Sequence, residues 1–352
     1  MARIPISGLA AGMALMAGCA EPNPPLPPPE EVLVVANSTA ASLSVVPISP
    51  TGPEGTVRLS GTAVGSIAAF GPILLASLPA DDAADVVALE GLQVRLTVGL
   101  PAGSGATGTA VLSDTVAYVA NPNLNTITRI DLLTGDTASL AVGVYPQGLI
   151  GTRGRLFVVN GNVGSCGQPG GLCSLGPSWL TVVDPETNEL ATGIDSIPMP
   201  GPGNARYVTV GTDGLLYVMN RGVATESRLS IVDPVGRREV ASFGGFGNDP
   251  GQIVADRGER ILISSLTEGV MVFNTRTRTV TRGAGNGVAI PDNSGLAEDG
   301  AFRTYAVQSG GCAGTVGRAV VLDTALAPIG SIPVGMCAAE ALVTLLRPGG
   351  SP

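Results

Sequence analysis

Four asparagines, Asn37, Asn121, Asn160 and Asn220, each close a short apolar run, and Asp131, Asp184, Asp233 and Asp323 each close another apolar run further along the chain. Amide and carboxylate oxygens repeated in this way could ring a hard cation such as Ca2+ and support hydrolysis. They could equally cap turns, because Asn and Asp side chains bond their own backbone a few residues on. Repetition favours capping. A catalytic ring needs different residues converging on one place, whereas these are one residue type at equivalent places. No histidine occurs among the 352 residues. That absence removes Ser-His-Asp and Cys-His nucleophile systems, His-held haem, copper and zinc, and imidazole acid–base chemistry near neutral pH. No catalytic residue, metal ligand or cofactor is assigned; Ca2+ belongs to the alternative of a hydrolase with an axial carboxylate and amide site.

The asparagines sit on a repeat. Seven copies of an apolar run, a polar loop and a second apolar run begin near Leu33, Ile73, Ala117, Leu156, Leu216, Ile261 and Thr304, at spacings of 40, 44, 39, 60, 45 and 43 residues. A period of that length, built of short strands and turn residues, predicts an all-β chain folded as a seven-bladed β-propeller. Runs such as Leu156-Phe-Val-Val159 lack strict alternation, as expected of strands covered on both faces by neighbouring blades. Ala338 to Leu346 reads as an innermost strand with no blade behind it. Glu31 to Ala36 reads as a second strand with no inner strand before it. Pairing the two closes the ring and removes a sheet edge that would invite aggregation. The second unit is weakly marked, which leaves six or eight blades open.

Tyr118-Val-Ala-Asn121, Phe157-Val-Val-Asn160 and Tyr217-Val-Met-Asn220 precede Val-rich or Ile-rich runs ending in Asp131, Asp184 and Asp233. These segments resemble the YVTN family of propeller repeats. The likeness covers about 117 to 243 and is weaker elsewhere, where Ser77, Ser264 or Ser265, and Gln308 stand at the Asn position. Lactonase-type propellers, which use an axial Ca2+, supply the enzymatic alternative.

Alternating strands sort the loops onto two faces. Cys312 and Cys337 then fall on one face in adjacent blades, and Cys166 and Cys173 lie together in one loop of the fourth unit. Two disulfides are expected, one joining the last blade to the first and one closing a small lobe. Zinc binding is disfavoured by the missing histidine and the unpaired spacings. The fourth unit is the longest, with its surplus in Asn160 to Ser178 and in Ile197 to Pro202. Repeat insertions collect on a working face. Trp179, the sole tryptophan, borders this lobe, so Asn160, Trp179, Arg206 and Arg221 are the candidate binding residues for a protein or glycan.

Arg3, the small apolar stretch Ile6 to Ala17 and Met16-Ala17-Gly18-Cys19 resemble a bacterial lipoprotein signal peptide. The resemblance implies cleavage of residues 1–18 and lipid on Cys19. With Ala20 following, it favours the outer membrane, with the body facing the periplasm or the surface. Glu21 to Glu30, rich in proline, reads as a tether completing a segment 19–30, ahead of a propeller over 31–347 and a tail over 348–352. The membrane is reached through lipid alone, since beyond the signal no apolar stretch attains about 20 residues. A net charge of −9 and the lack of a basic stripe argue against nucleic acid.

Overall fold

The computed structural model describes residues 30–49, 52–167, 171–223, 226–312 and 314–346. The lipobox with Cys19, the signal segment and the tail beyond 346 therefore lie outside the described residues. Within them, seven antiparallel sheets follow one another in chain order and a separate two-stranded hairpin projects from the fourth. The predicted seven-bladed all-β propeller is the fold.

Each blade is built from the repeat in a fixed order. Its second strand, such as Arg155–Asn160 or Leu216–Asn220, has an apolar body closed by Asn and is buried almost completely. Flat β-branched and aromatic side chains on both faces of that strand pack against the blades on either side, so polar residues have no solvent face to occupy. Tyr217, Met219, Ile231, Ile263 and Phe273 form one such interblade layer. Within it the Tyr217 and Phe273 rings lie 6.1 Å apart in a tilted pair. Complete burial of side chains this large contributes about 1.5 to 3 kcal/mol each. Outer strands meet water on one face: Gln93–Gly99 alternates between exposed and partly covered positions, and Thr137–Ala141 is largely exposed.

Closure uses the two ends of the described chain. Ala338–Leu346 pairs antiparallel with Glu30–Asn37, with Leu33 opposite Val343 and Glu30 opposite Leu346. Blade one thus runs outward from Ala338–Leu346 through Glu30–Asn37 and Ser42–Pro47 to Gly55–Arg58. Blade four departs from the others in its outer edge. Glu189–Leu190 and Ser196–Met199 both pair with Ser178–Asp184, so the outer strand is broken in two.

The innermost strands ring the axis: Ala338–Leu346, Ile67–Phe70, Thr109–Val111, Pro146–Thr152, Ala205–Val210, Ile253–Asp256 and Asn293–Glu298. They approach so closely that a β-carbon on Gly148 would overlap the carbonyl oxygen of Arg206 in the next blade. Glycine is what lets adjacent inner strands touch backbone to backbone. The front face carries the loops from second to third strand and from one blade's outer strand to the next blade's inner strand. The back face carries the remaining turns.

Candidate functional site

The repeated asparagines are fully buried and serve the blades. In each of four blades the Asn Nδ2 donates to a third-strand hydroxyl two residues beyond the residue the Asn faces in the register: Asn37 to Ser44 at 3.1 Å, Asn121 to Thr128 at 2.8 Å, Asn160 to Thr181 at 2.9 Å and Asn220 to Ser230 at 2.8 Å. Asn160 Oδ1 also accepts the backbone N–H of Gly143 at 3.0 Å. A β-carbon on Gly143 would overlap the Asn160 amide and come within 2.5 Å of the Trp179 ring; one on Gly335 would overlap the Asn37 amide. The Val-Gly that ends an outer strand and the Asn of the following blade are therefore one packing unit. The amide oxygens of Asn37, Asn121 and Asn220 have no partner among the described residues. Because each stands on the second strand of a different blade, behind an inner strand, they do not converge on one ion.

The strand-ending aspartates cap turns. Asp131 Oδ1 accepts from Leu133 N and Thr134 N at 2.8 and 3.0 Å, and Asp233 Oδ1 from Val235 N and Gly236 N at 2.9 Å each. Backbone N–H groups aimed at the carboxylate stabilise its charged form, those of Thr134 and Gly236 foremost, and lower both pKa values. Asp184 and Asp323 make the same bonds, to Glu186 N at 3.1 Å and to Ala325 N and Ala327 N at 2.9 Å each.

Both disulfides lie on the front face. Cys312, in a loop of blade seven, is bonded to Cys337, which joins the outer strand of that blade to the inner strand of blade one. Cys166 is bonded to Cys173 across the projecting hairpin, whose strands are Val163–Ser165 and Leu172–Ser174. This hairpin is the insertion in the fourth unit, and it leans back on the ring. Leu175 N donates to Asn162 O at 2.8 Å, and a β-carbon on Gly203 would come within 2.6 Å of Gly176 O. At its base the Ser178 hydroxyl donates to Gly161 O and accepts from Ala205 N, at 3.0 Å each. The hairpin root is thereby tied to the inner strand of blade five, one residue before Arg206.

The four candidate binding residues fall into two groups. Trp179 and Asn160 face each other in the register of blade four, Trp179 partly covered and Asn160 wholly buried. Arg206 and Arg221 flank the Tyr207 ring at 5.0 and 5.9 Å, a cation–π arrangement at the centre of the front face. Arg221 is also paired with Asp249.

Arg206 opens into an axial cavity of about 120 Å³. Ser66, Thr109, Gln147, Tyr207, Gln252 and Glu340 supply the other polar groups of its wall. Gln147 Nε2 donates to Asn204 Oδ1 at 3.0 Å and to Ala205 O at 3.2 Å, tying blade four to blade five. Gln252 links blades six, seven and one: its Oε1 accepts from Leu296 N and Ala341 N, and its Nε2 donates to Ala341 O at 2.7 Å. One Glu340 oxygen accepts from Ile67 N at 3.2 Å, and the other lies 4.0 Å from Arg206. Burial pushes the Glu340 carboxyl above its ordinary range, against the pull of Arg206. Of these residues sequence reading named Arg206 alone. Glu340 had a signal, a solitary carboxylate inside the apolar run Ala338 to Leu346.

This donor set does not suit Ca2+, which takes six to eight oxygens and is held by several carboxylates. The cavity wall offers one carboxylate, and a guanidinium stands beside it. Among the described residues no three His, Cys, Asp or Glu side chains are grouped to hold a metal ion. At the back mouth a shallow depression of about 450 Å³, bordered by Phe70, Val111, Leu112 and Arg155, is mainly apolar and brings no acid–base pair together.

The ring of seven sheets and its axial cavity define a β-propeller, a scaffold that hosts many unrelated activities. No family model and no curated protein sequence matches the chain. Among solved structures it is similar to Kuenenia stuttgartiensis hydrazine synthase, with a TM-score of 0.62 and 16% identity, over 80% of this chain and 94% of that one. It is also similar to apo AztD from Citrobacter koseri, with a TM-score of 0.52 and 12% identity, over 90% of this chain and 98% of that one. At such identities the likeness speaks for the fold alone.

Proposed function

We propose that this chain is a lipid-anchored, YVTN-type β-propeller of the bacterial cell envelope that acts by binding a protein or glycan partner on its front face. The observation that carries the proposal is the company kept by the insertion: a disulfide-closed hairpin with exposed Leu172 and Leu175 stands beside the Arg206–Tyr207–Arg221 stack. Tyr and Arg at the centre of a face, next to a projecting hairpin that carries exposed leucines, are the residues on which binding energy concentrates. The Asn–Gly packing unit supports the repeat assignment, because it accounts for the Asn and the Val-Gly of that pattern together.

Two disulfides suit an oxidising compartment, in line with export. The anchor is lipid on Cys19, the tether holds the ring off the bilayer, and the outer membrane is the destination. Net charge −9 keeps nucleic acid out of the partner list.

A cross-linked pull-down from intact cells tests the binding face. The variant joins Asn162 directly to Gly176, which removes the hairpin and leaves the Gly161–Ser178 latch intact. It should lose the partner captured by the full chain; capture of the same partner would count against the hairpin. Cys19→Ala should leave the membrane fraction, and retention there would overturn the anchor.

A further inference from the structure

The Arg206 guanidinium stands in the axial cavity with no hydrogen-bond acceptor in reach among the described residues; its neighbours are the Tyr207 ring and a Glu340 oxygen at 4.0 Å. A guanidinium carries five N–H donors in a planar fork, and at 27% side-chain exposure Arg206 presents them to the cavity and to the water at its mouth. Among the described residues the rest of the wall gives these donors no hydrogen bond. Gln147 Nε2 and both amide atoms of Gln252 are engaged in joining blades, and Glu340 is too distant for a hydrogen bond. About 120 Å³ is room for a planar group of a few heavy atoms.

We propose that this cavity receives a carboxylate group, carried by a small acid or by an acidic sugar, with Arg206 as its bidentate donor and protonated Glu340 as a second donor. Charge selects this ligand. Arg206 and an ionised Glu340 cancel, so a monoanion enters without leaving uncompensated charge only if Glu340 takes up one proton on binding. A phosphate dianion would leave a net negative charge in the same cavity. The planar fork of arginine matches a carboxylate with two parallel N–H···O bonds.

The environment of Glu340 agrees with that proton uptake. The charge facing it is Arg206 from blade five; from blade two come the Ser66 hydroxyl and the Ile67 N–H. Gln252 of blade six contributes no charge. The carboxylates on adjoining strands of blades one and seven belong to the back face, where Glu31 accepts from Gly300 N and Glu298 from Arg257 N. Tyr145, Tyr207 and Asp249 act on Arg206 from the front mouth.

The inference rests on the binding reading of the front face and is tested without knowledge of a partner. The full-length chain is titrated calorimetrically with D-glucuronate, acetate, inorganic phosphate and D-glucose. Both carboxylates should bind saturably, and phosphate and glucose at least tenfold more weakly than glucuronate. Glucuronate binding tenfold tighter than acetate assigns an acidic sugar; equal binding assigns a free acid. Arg206→Met should weaken binding tenfold or more, and Arg206→Lys, which keeps the charge without the fork, serves if the first variant fails to fold. Wild-type affinity should fall about tenfold per pH unit once Glu340 ionises in the free protein, and Glu340→Gln should bind with no pH dependence. Phosphate matching glucuronate, no saturable carboxylate binding, or an Arg206 variant that binds like wild type would overturn the proposal. An unchanged pH profile in Glu340→Gln would overturn the role of Glu340. Carboxylate binding without partner capture would sink the partner surface alone, and the reverse would sink the axial site alone.

Discussion

Arg206 and Glu340 face each other across the axis at 4.0 Å, from the inner strands of blades five and one. Those blades are not neighbours, so the pair exists only because the ring closes. Closure depends in turn on Ala338–Leu346 lying beside Glu30–Asn37. A chain ending before Ala338 should therefore lose more than one strand. It exposes the backbone edge of Glu30–Asn37 and unpacks Leu33, Val35 and Ala297. Light scattering after gel filtration should find aggregate; a soluble monomer with wild-type melting temperature would contradict the ring.

The Asn–Gly unit predicts a contrast between two alanine substitutions. Gly143→Ala places a methyl on the Asn160 amide and the Trp179 ring, and should cost about 2 kcal/mol or more in denaturant unfolding. At Gly330 a β-carbon meets nothing within 4 Å, so Gly330→Ala should change stability by less than about 0.5 kcal/mol. Equal effects would refute the packing argument.

The two disulfides should differ in weight. Cys312–Cys337 spans 25 residues and fastens blade seven to the crossover into blade one, so Cys312→Ser with Cys337→Ser should cost about 3 kcal/mol. Cys166–Cys173 spans 7 residues within the hairpin, and its removal should cost at most about 2 kcal/mol. Denaturant midpoints with matched slopes decide this, and the opposite ranking would show that Cys312–Cys337 does not restrain the ring.

Stability should carry the signature of Glu298 on the back face. Burial, with the negative charge of Asp256 adding to it and the Arg257 N–H opposing, raises this carboxyl from 4.5 to about 7. Between those values the folded chain keeps a proton that the unfolded chain has released, so stability falls as pH rises through the window and levels off above it. Glu298→Gln should match wild type at pH 4 and exceed it by roughly 1 to 2 kcal/mol at pH 8, allowing for solvent screening. Identical pH profiles of melting temperature would rule this out.

The frame of the molecule was legible in its residues because it repeats. Apolar second strands recur at blade spacing, and the runs Glu31 to Ala36 and Ala338 to Leu346 each lack a blade partner that the other supplies. The same is true of the aspartate caps and of the cysteine pairs, which follow from the alternation of faces. The axial residues were not legible for the opposite reason. Ser66, Thr109, Gln147, Gln252 and Glu340 are single polar positions on or just before the inner strands and differ from blade to blade, so no period marks them. Arg206 drew notice as an arginine near the insertion, yet its place in the cavity depends on the close approach that Gly148 allows. The insertion was legible as surplus length; that it folds as a hairpin leaning on Gly203 was not, because its strands are three residues each.

Site-resolved cross-linking in intact cells tests the binding face most directly. A photoreactive residue is placed at Leu172 or Leu175 on the hairpin, and at Leu133 or Val235, which are exposed on back-face turns. The account predicts one partner adduct from the hairpin positions and none from Leu133 or Val235. Adducts from the back-face positions with a silent hairpin would contradict it.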